Sequence, residues 1–175
     1  RDSSTSRGLG DVYKRQLIDV AVVTSPFADK TGLNINVIKK LQDIVAAGNG
    51  FSYLKDKEIS LHELVKYPLI CLKNTTTTRN YLDHIFRQHN LLLRPDIELT
   101  SINFVMPMVK NNLGIGFMQY ATTKAEIEAG NIFRVNTKEQ IPPRSICAVT
   151  ASQYETPEPV QRFIDSLLEK ESVNI

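Results

Sequence analysis

Hydrophobic and polar positions divide the chain into short elements whose period switches between two and three-to-four. Asp19–Thr24 (DVAVVT) is a nearly continuous β-branched run that stops at the turn pair Ser25-Pro26, the pattern of a buried strand. After a polar loop, Asn34–Leu41 and Asp43–Ala47 read as a strand pair closed by Gly48-Asn49-Gly50. Ser60-Leu61-His62-Glu63 has capping-box spacing before a short helix that must stop ahead of Pro68. Leu69–Leu72 (LICL) is a second buried strand. From Thr77 the period changes: Tyr81, Leu82, Ile85 and Phe86 recur at helical spacing until Asn90. A short strand over Asp96–Leu99 precedes another apolar helical face made by Phe104, Val105, Met108 and Val109. Ser101 is placed to cap that helix, and Pro107 is expected to kink it. Leu113–Met118 is the next strand. Thr123-Lys124-Ala125-Glu126 has capping-box spacing, and Gly130 is a C-terminal stop. Asn131–Val135 and Ser145–Thr150 read as strands. Val160, Phe163, Ile164, Leu167 and Leu168 form a closing amphipathic helix. Strand and helix alternate from Leu69 to Val135, which predicts βαβ units and a mostly parallel sheet. The fold class read from the pattern is α/β.

Composition narrows the picture. A chain of 175 residues suits one domain or two small lobes, and 42% hydrophobic against 23% charged residues excludes disorder of the whole. The net charge of +2 is too small for a nucleic-acid surface. It is carried by the opening stretch, where Arg1, Arg7, Lys14 and Arg15 face only Asp2 and Asp11. Cys71 and Cys147 sit inside the apolar runs LICL and ICAV, as small hydrophobes rather than a disulfide framework or metal site. They fit a reducing compartment and a cytoplasmic localisation. No apolar run approaches a membrane span, and no signal-peptide pattern opens the chain.

Candidate chemistry is sparse. Thr75-Thr76-Thr77-Thr78-Arg79 lies between the end of a strand and the start of a helix, where open α/β sheets bind ligands and helix amides favour anions. Its hydroxyls could hold a carboxylate, another oxyanion or a polar small molecule. Equally, threonine caps helices, and Arg79 has the spacing to pair with Asp83. Gly114-Ile115-Gly116 lacks the third glycine and the lysine of a phosphate loop. Its glycines read instead as a tight exit from the helix ending at Asn112. His62, His84 and His89 share no metal-ligand spacing, and no nucleophile elbow occurs. The chain therefore reads as a binding domain, not an enzyme, with no cofactor.

Six stretches in this order resemble the effector-binding (substrate-binding) domain of LysR-type transcriptional regulators. They are LIDVAVVTSP, LQDIVAAG, LHELVKYPLICL, TTTTRNYLDHIFRQHNLLLRPDIEL, MVKNNLGIGFM and VQRFIDSLLEK, together spanning Leu17 to Lys170. The resemblance implies two Rossmann-type lobes, like those of periplasmic binding proteins, with a small anionic or polar metabolite in the cleft between them. It places lobe II at Tyr67–Pro143 and lobe I at Leu17–Lys66 with Arg144–Ile175, the first lobe being truncated. Effector contacts implied are Thr76, Thr77, Thr78 and Arg79, then Ser101, Ile102 and Asn103, with Thr24 and Ser25 on the opposite wall. Thr75 replaces a usual glycine, and Met118-Gln119 stands where many members have proline. DNA binding would come only from a winged helix-turn-helix missing from the N-terminus, and the full-length protein would be a homo-oligomer. An extracytoplasmic solute-binding protein of a transporter shares the architecture and is the main alternative. Arg1–Gln16, standing where the family has a βα unit, resembles a translated sequencing-adapter tail and is expected to be non-native.

Overall fold

A strand with no exposed residue must be covered on both faces, and Asp43–Gly48 (DIVAAG) is buried at every position. In the computed structural model, which describes residues 18–26 and 31–172, this strand lies inside a sheet flanked by helices. The elements in chain order are β1 (Ala21–Thr24), β2 (Leu33–Leu41), β3 (Asp43–Gly48), β4 (Glu58–Ile59), α1 (Leu61–Leu64), β5 (Leu69–Leu72) and α2 (Thr77–Gln88). There follow β6 (Ile97–Leu99), a 3-10 turn (Ile102–Phe104), α3 (Val105–Lys110), β7 (Ile115–Gln119), α4 (Tyr120–Glu128), β8 (Ile132–Thr137), β9 (Arg144–Ala151) and α5 (Glu158–Ser172). The α/β reading holds. The expectation about Arg1–Gln16 lies outside the described residues.

The chain divides into two units, Arg1–Lys40 with Arg144–Ile175, and Leu41–Pro143. The second unit holds a six-stranded sheet of order β4-β8-β3-β7-β5-β6. Alternation along β3 sends successive residues to opposite faces. Val45 and Ala47 join a core with Leu82, Ile85 and Phe86 of α2, and the Phe86 ring meets Phe117 edge-on at 5.9 Å. Ile44 and Ala46 join the other core, with Val105 and Val109 of α3. In the first unit β1, β9 and β2 form a three-stranded sheet. There Ala21 pairs with Val149 and Val23 with Cys147 around a small apolar cluster.

Several expectations need correction. The mostly parallel sheet expected from Leu69–Val135 is present, with β4, β5, β6, β7 and β8 all running one way, but β3 enters it against both its neighbours. The strand–helix alternation begins only at Leu69, so it carried no information about β3. Nor do β2 and β3 pair. Only Gln42 separates them, too short a link for a hairpin, and they enter different sheets. The Gln42 side-chain amide bonds the carbonyls of Asp43 and Ile141 instead. β3 and β4 are hydrogen-bonded into the sheet of the second unit.

Smaller corrections follow the same logic. Pro107 kinks no long helix, because the helical segment splits into a 3-10 turn and α3, and Pro107 falls in the first turn of α3, where an N–H has no helical partner. Thr123 is no cap: α4 starts at Tyr120, and the Thr123 hydroxyl donates back to the carbonyls of Gln119 and Tyr120. Gly116 does not form a turn. A Cβ there would lie 2.7 Å from Val109 Cγ2 and 2.8 Å from Val105 Cγ1, so its role is to let α3 lie against β7. The turn out of α3 is made by Asn112, at φ 61°, whose side-chain oxygen accepts the Gly50 N–H at 2.6 Å. The capping box at Ser60 and the stop at Gly130 (φ 73°) are present as read. Both cysteines are buried thiols, and burial pushes the Cys71 thiol up to about 12.

Candidate ligand-binding site

Parallel strands bring their carboxyl ends to one edge, and the elements that follow them start there. Leu72 at the end of β5 pairs with Leu99 at the end of β6, and the Lys73 N–H donates to the Leu99 carbonyl at 2.9 Å. From this edge β5 leads into α2, β6 into the Ser101 turn, and β7 into α4. Thr76 caps α2: its hydroxyl accepts the Arg79 N–H at 3.2 Å and donates to the Lys73 carbonyl at 2.9 Å. Thr75 and Thr77 are exposed, Thr78 is half-buried, and no acidic residue occurs in the first turn. Ser101 caps the 3-10 turn by accepting the Asn103 N–H at 3.3 Å, with Ile102 and Asn103 exposed beside it. Thr76–Thr78 and Ser101–Asn103 thus occupy neighbouring turns at one sheet edge.

Arg79 does not share the exposure of these threonines. Its side chain turns into the protein and is only 6% exposed. Nε donates to Asp83 Oδ1 at 2.9 Å, Nη1 to Glu98 Oε1 at 2.8 Å and to the Leu72 carbonyl at 3.2 Å, and Nη2 to the Leu93 carbonyl at 3.1 Å. Burial works against its charge, but the hydrogen bonds to Glu98 and Asp83 outweigh that and hold the guanidinium above its ordinary value. The i,i+4 pairing with Asp83 was legible in the sequence. Glu98 was not, since only the pairing of β5 with β6 brings it near.

At the same edge, with three strands lying between β4 and β5, α1 begins after β4. Its N-terminus is occupied by the protein's own carboxylates. Glu63 Oε2 accepts the Ser60 N–H at 2.9 Å, and Glu139 Oε2 accepts the Leu61 N–H at 2.8 Å. The bonds from Ser60 hold the Glu63 carboxyl below its ordinary value. Where β3 meets β8 and the segment after it, a cavity of about 260 Å³ is lined by Gln42, Asp43, Thr137 and Gln140 among others. No spacing rule singled out these four, because β3 and the segment after β8 meet only in the folded sheet.

Thr24 and Ser25 belong to the first unit. Thr24 pairs with Ile146, and the Ser25 hydroxyl oxygen accepts the Ser145 N–H at 2.8 Å. Gln119 closes β7 opposite the buried Asp43. Among the described residues no group of His, Cys, Asp and Glu could hold a metal ion, and no helix is long and apolar enough to cross a membrane.

Known proteins resemble this chain in both sequence and fold. Over 90 residues, half of the chain, it is 29% identical to the HTH-type transcriptional activator CmpR of Synechocystis sp. (strain ATCC 27184 / PCC 6803 / Kazusa), and the matched stretch spans 30% of that protein. Its fold is similar to the CcmR regulatory domain of Synechocystis PCC6803 in complex with 2-PG, with a TM-score of 0.75 at 17% identity, covering 94% of this chain and 78% of that one. It is similar also to the effector binding domain of QuiR in complex with shikimate, with a TM-score of 0.71 at 17% identity, covering 94% and 77%. The sequence matches the LysR substrate binding domain over residues 2–172, a span that includes most of the opening stretch set apart in the sequence reading. That family favours a regulator's domain over a transporter's binding protein. The chain belongs to the LysR substrate-binding domain family.

Proposed function

We propose that this domain senses a small anionic or polar metabolite at the N-terminal end of α2, with Thr77, Thr78 and the Ser101–Asn103 turn as contacts. One observation carries the reading: the first turn of α2 holds hydroxyls and no carboxylate, at a sheet edge where the start of α1, beyond three intervening strands, is filled by Glu63 and Glu139. A twelve-residue helix presents a partial positive charge there, which favours an anionic group. The complexes of CcmR with 2-PG and of QuiR with shikimate support a small-molecule ligand for a domain of this fold.

The action is ligand-biased conformational change rather than catalysis. In the whole protein, DNA would be contacted by a helix-turn-helix segment outside this chain, within a cytoplasmic homo-oligomer. Bound ligand would shift how that oligomer presents its DNA-reading helices. Calorimetry against a panel of carboxylates and phosphorylated metabolites tests the site. Thr77→Ala and Thr78→Ala are expected to weaken the best ligand by about fivefold each, the effect of one neutral hydrogen bond. Unchanged affinity in both variants would remove the site from this helix end.

A further inference from the structure

We propose that Arg79 is a positioning residue: it holds the two ligand-facing turns in register. The inference rests on the binding reading above, and it gives Arg79 a different role from that of a direct ligand contact.

The guanidinium joins four chain segments. It bonds Asp83 on its own helix, the carbonyl of Leu72 at the last residue of β5, the carbonyl of Leu93 beyond α2, and Glu98 on β6. Of these, β5 leads directly into Thr75–Thr78 and β6 directly into Ser101–Asn103. One buried group therefore braces both turns, beside the direct Lys73–Leu99 bond between their strands. A planar, five-donor fork can meet acceptors in these several directions, whereas an ammonium has three donors and no fixed plane.

The second effect is electrostatic. Side chains of Asp83 and Glu98 are 15% and 43% exposed, and both carboxylates are engaged by the same cation. At α1, by contrast, Glu63 and Glu139 are placed on N–H groups of the helix start. Arg79 thus balances both carboxylates within its own network.

The test uses the full chain with Arg79→Lys, Glu98→Gln and the double variant. Backbone hydrogen exchange is read without ligand, and affinity for orthophosphate is read by calorimetry. Positioning predicts that exchange at Lys73, Arg79, Asn80, Asn103 and Phe104, whose N–H groups are hydrogen-bonded within the two turns, rises about tenfold in Arg79→Lys, the effect of losing one charge-assisted hydrogen bond. Amides of β3 should keep their rates. Glu98→Gln should move the same amides, and the double variant should be no worse than Arg79→Lys. Phosphate affinity should fall in step. Unchanged exchange with lower phosphate affinity would make Arg79 a ligand contact and overturn the proposal. A uniform rise across the second unit would also overturn it, as ordinary stabilisation. If the wild-type chain binds no phosphate, the binding reading fails for that anion, while exchange still decides the positioning role. Should Arg79→Lys not fold, Glu98→Gln alone decides it.

Discussion

Two helices start at the same edge of the six-stranded sheet, and their first turns are finished differently. At α1 the serine cap, Glu63 and the distant Glu139 together satisfy the helix start with the protein's own charges. At α2 a threonine cap is followed by more threonine, and the carboxylates of Asp83 and Glu98 are held by Arg79. Orphan N–H groups and the dipole favour an anion at both ends. The difference teaches that one end is finished with carboxylates and the other with hydroxyls, the contrast on which the proposed anion site rests.

Removing the cation is the most severe way to break this contrast. Arg79→Ala strips Asp83 and Glu98 of their partner and leaves the carbonyls of Leu72 and Leu93 short of a donor. It should cost about 3 kcal/mol, the low end for breaking a buried pair, because Glu98 is part-exposed. Urea denaturation of the chain measures it, and a loss below about 1 kcal/mol would mean that the network contributes as a surface pair does.

A subtler change makes α2 resemble α1. Thr77→Glu places a carboxylate in the first turn of α2, which should raise stability by about 0.5 kcal/mol while competing with an external anion. A rise in Tm together with lost ligand affinity is the expected outcome. Retained affinity would show that the ligand does not use this helix end.

The smallest effect is a pH dependence at α1. The bonds from Ser60 lower the folded pKa of Glu63 below its ordinary 4.5. A depressed carboxylate contributes stability that is full above the unfolded value and is lost as pH falls through the folded one. Glu63→Gln should therefore be less stable than wild type at neutral pH, with the gap closing in acid. A gap that persists unchanged below the folded pKa would assign the effect to something other than the charge.

How much of this was legible varied with the range of the interaction. Ser60 with Glu63, Thr76 before α2, Arg79 with Asp83 and the stop at Gly130 are contacts within a few residues, and spacing alone exposes them. Helix α2 was legible because Tyr81, Leu82, Ile85 and Phe86 bury one face. Misreadings came where a strand's partner lies far along the chain. The separation of β3 from β2 and the tight fit of Gly116 on α3 both depend on such partners. The same holds for the site, where the threonines were visible but Glu98 and Glu139 were not.

By itself, then, the sequence determined the α/β class, the caps and the hydroxyl-bearing helix start, because these follow from local periodicity and hydrogen bonds between near neighbours. Only the tertiary structure decided which helix ends are already filled. A carboxylate 78 residues away reaches the start of α1, and one on the neighbouring strand is held by Arg79. Those choices rest on strand order and register, which bring distant charges within hydrogen-bond reach and have no counterpart in spacing along the chain.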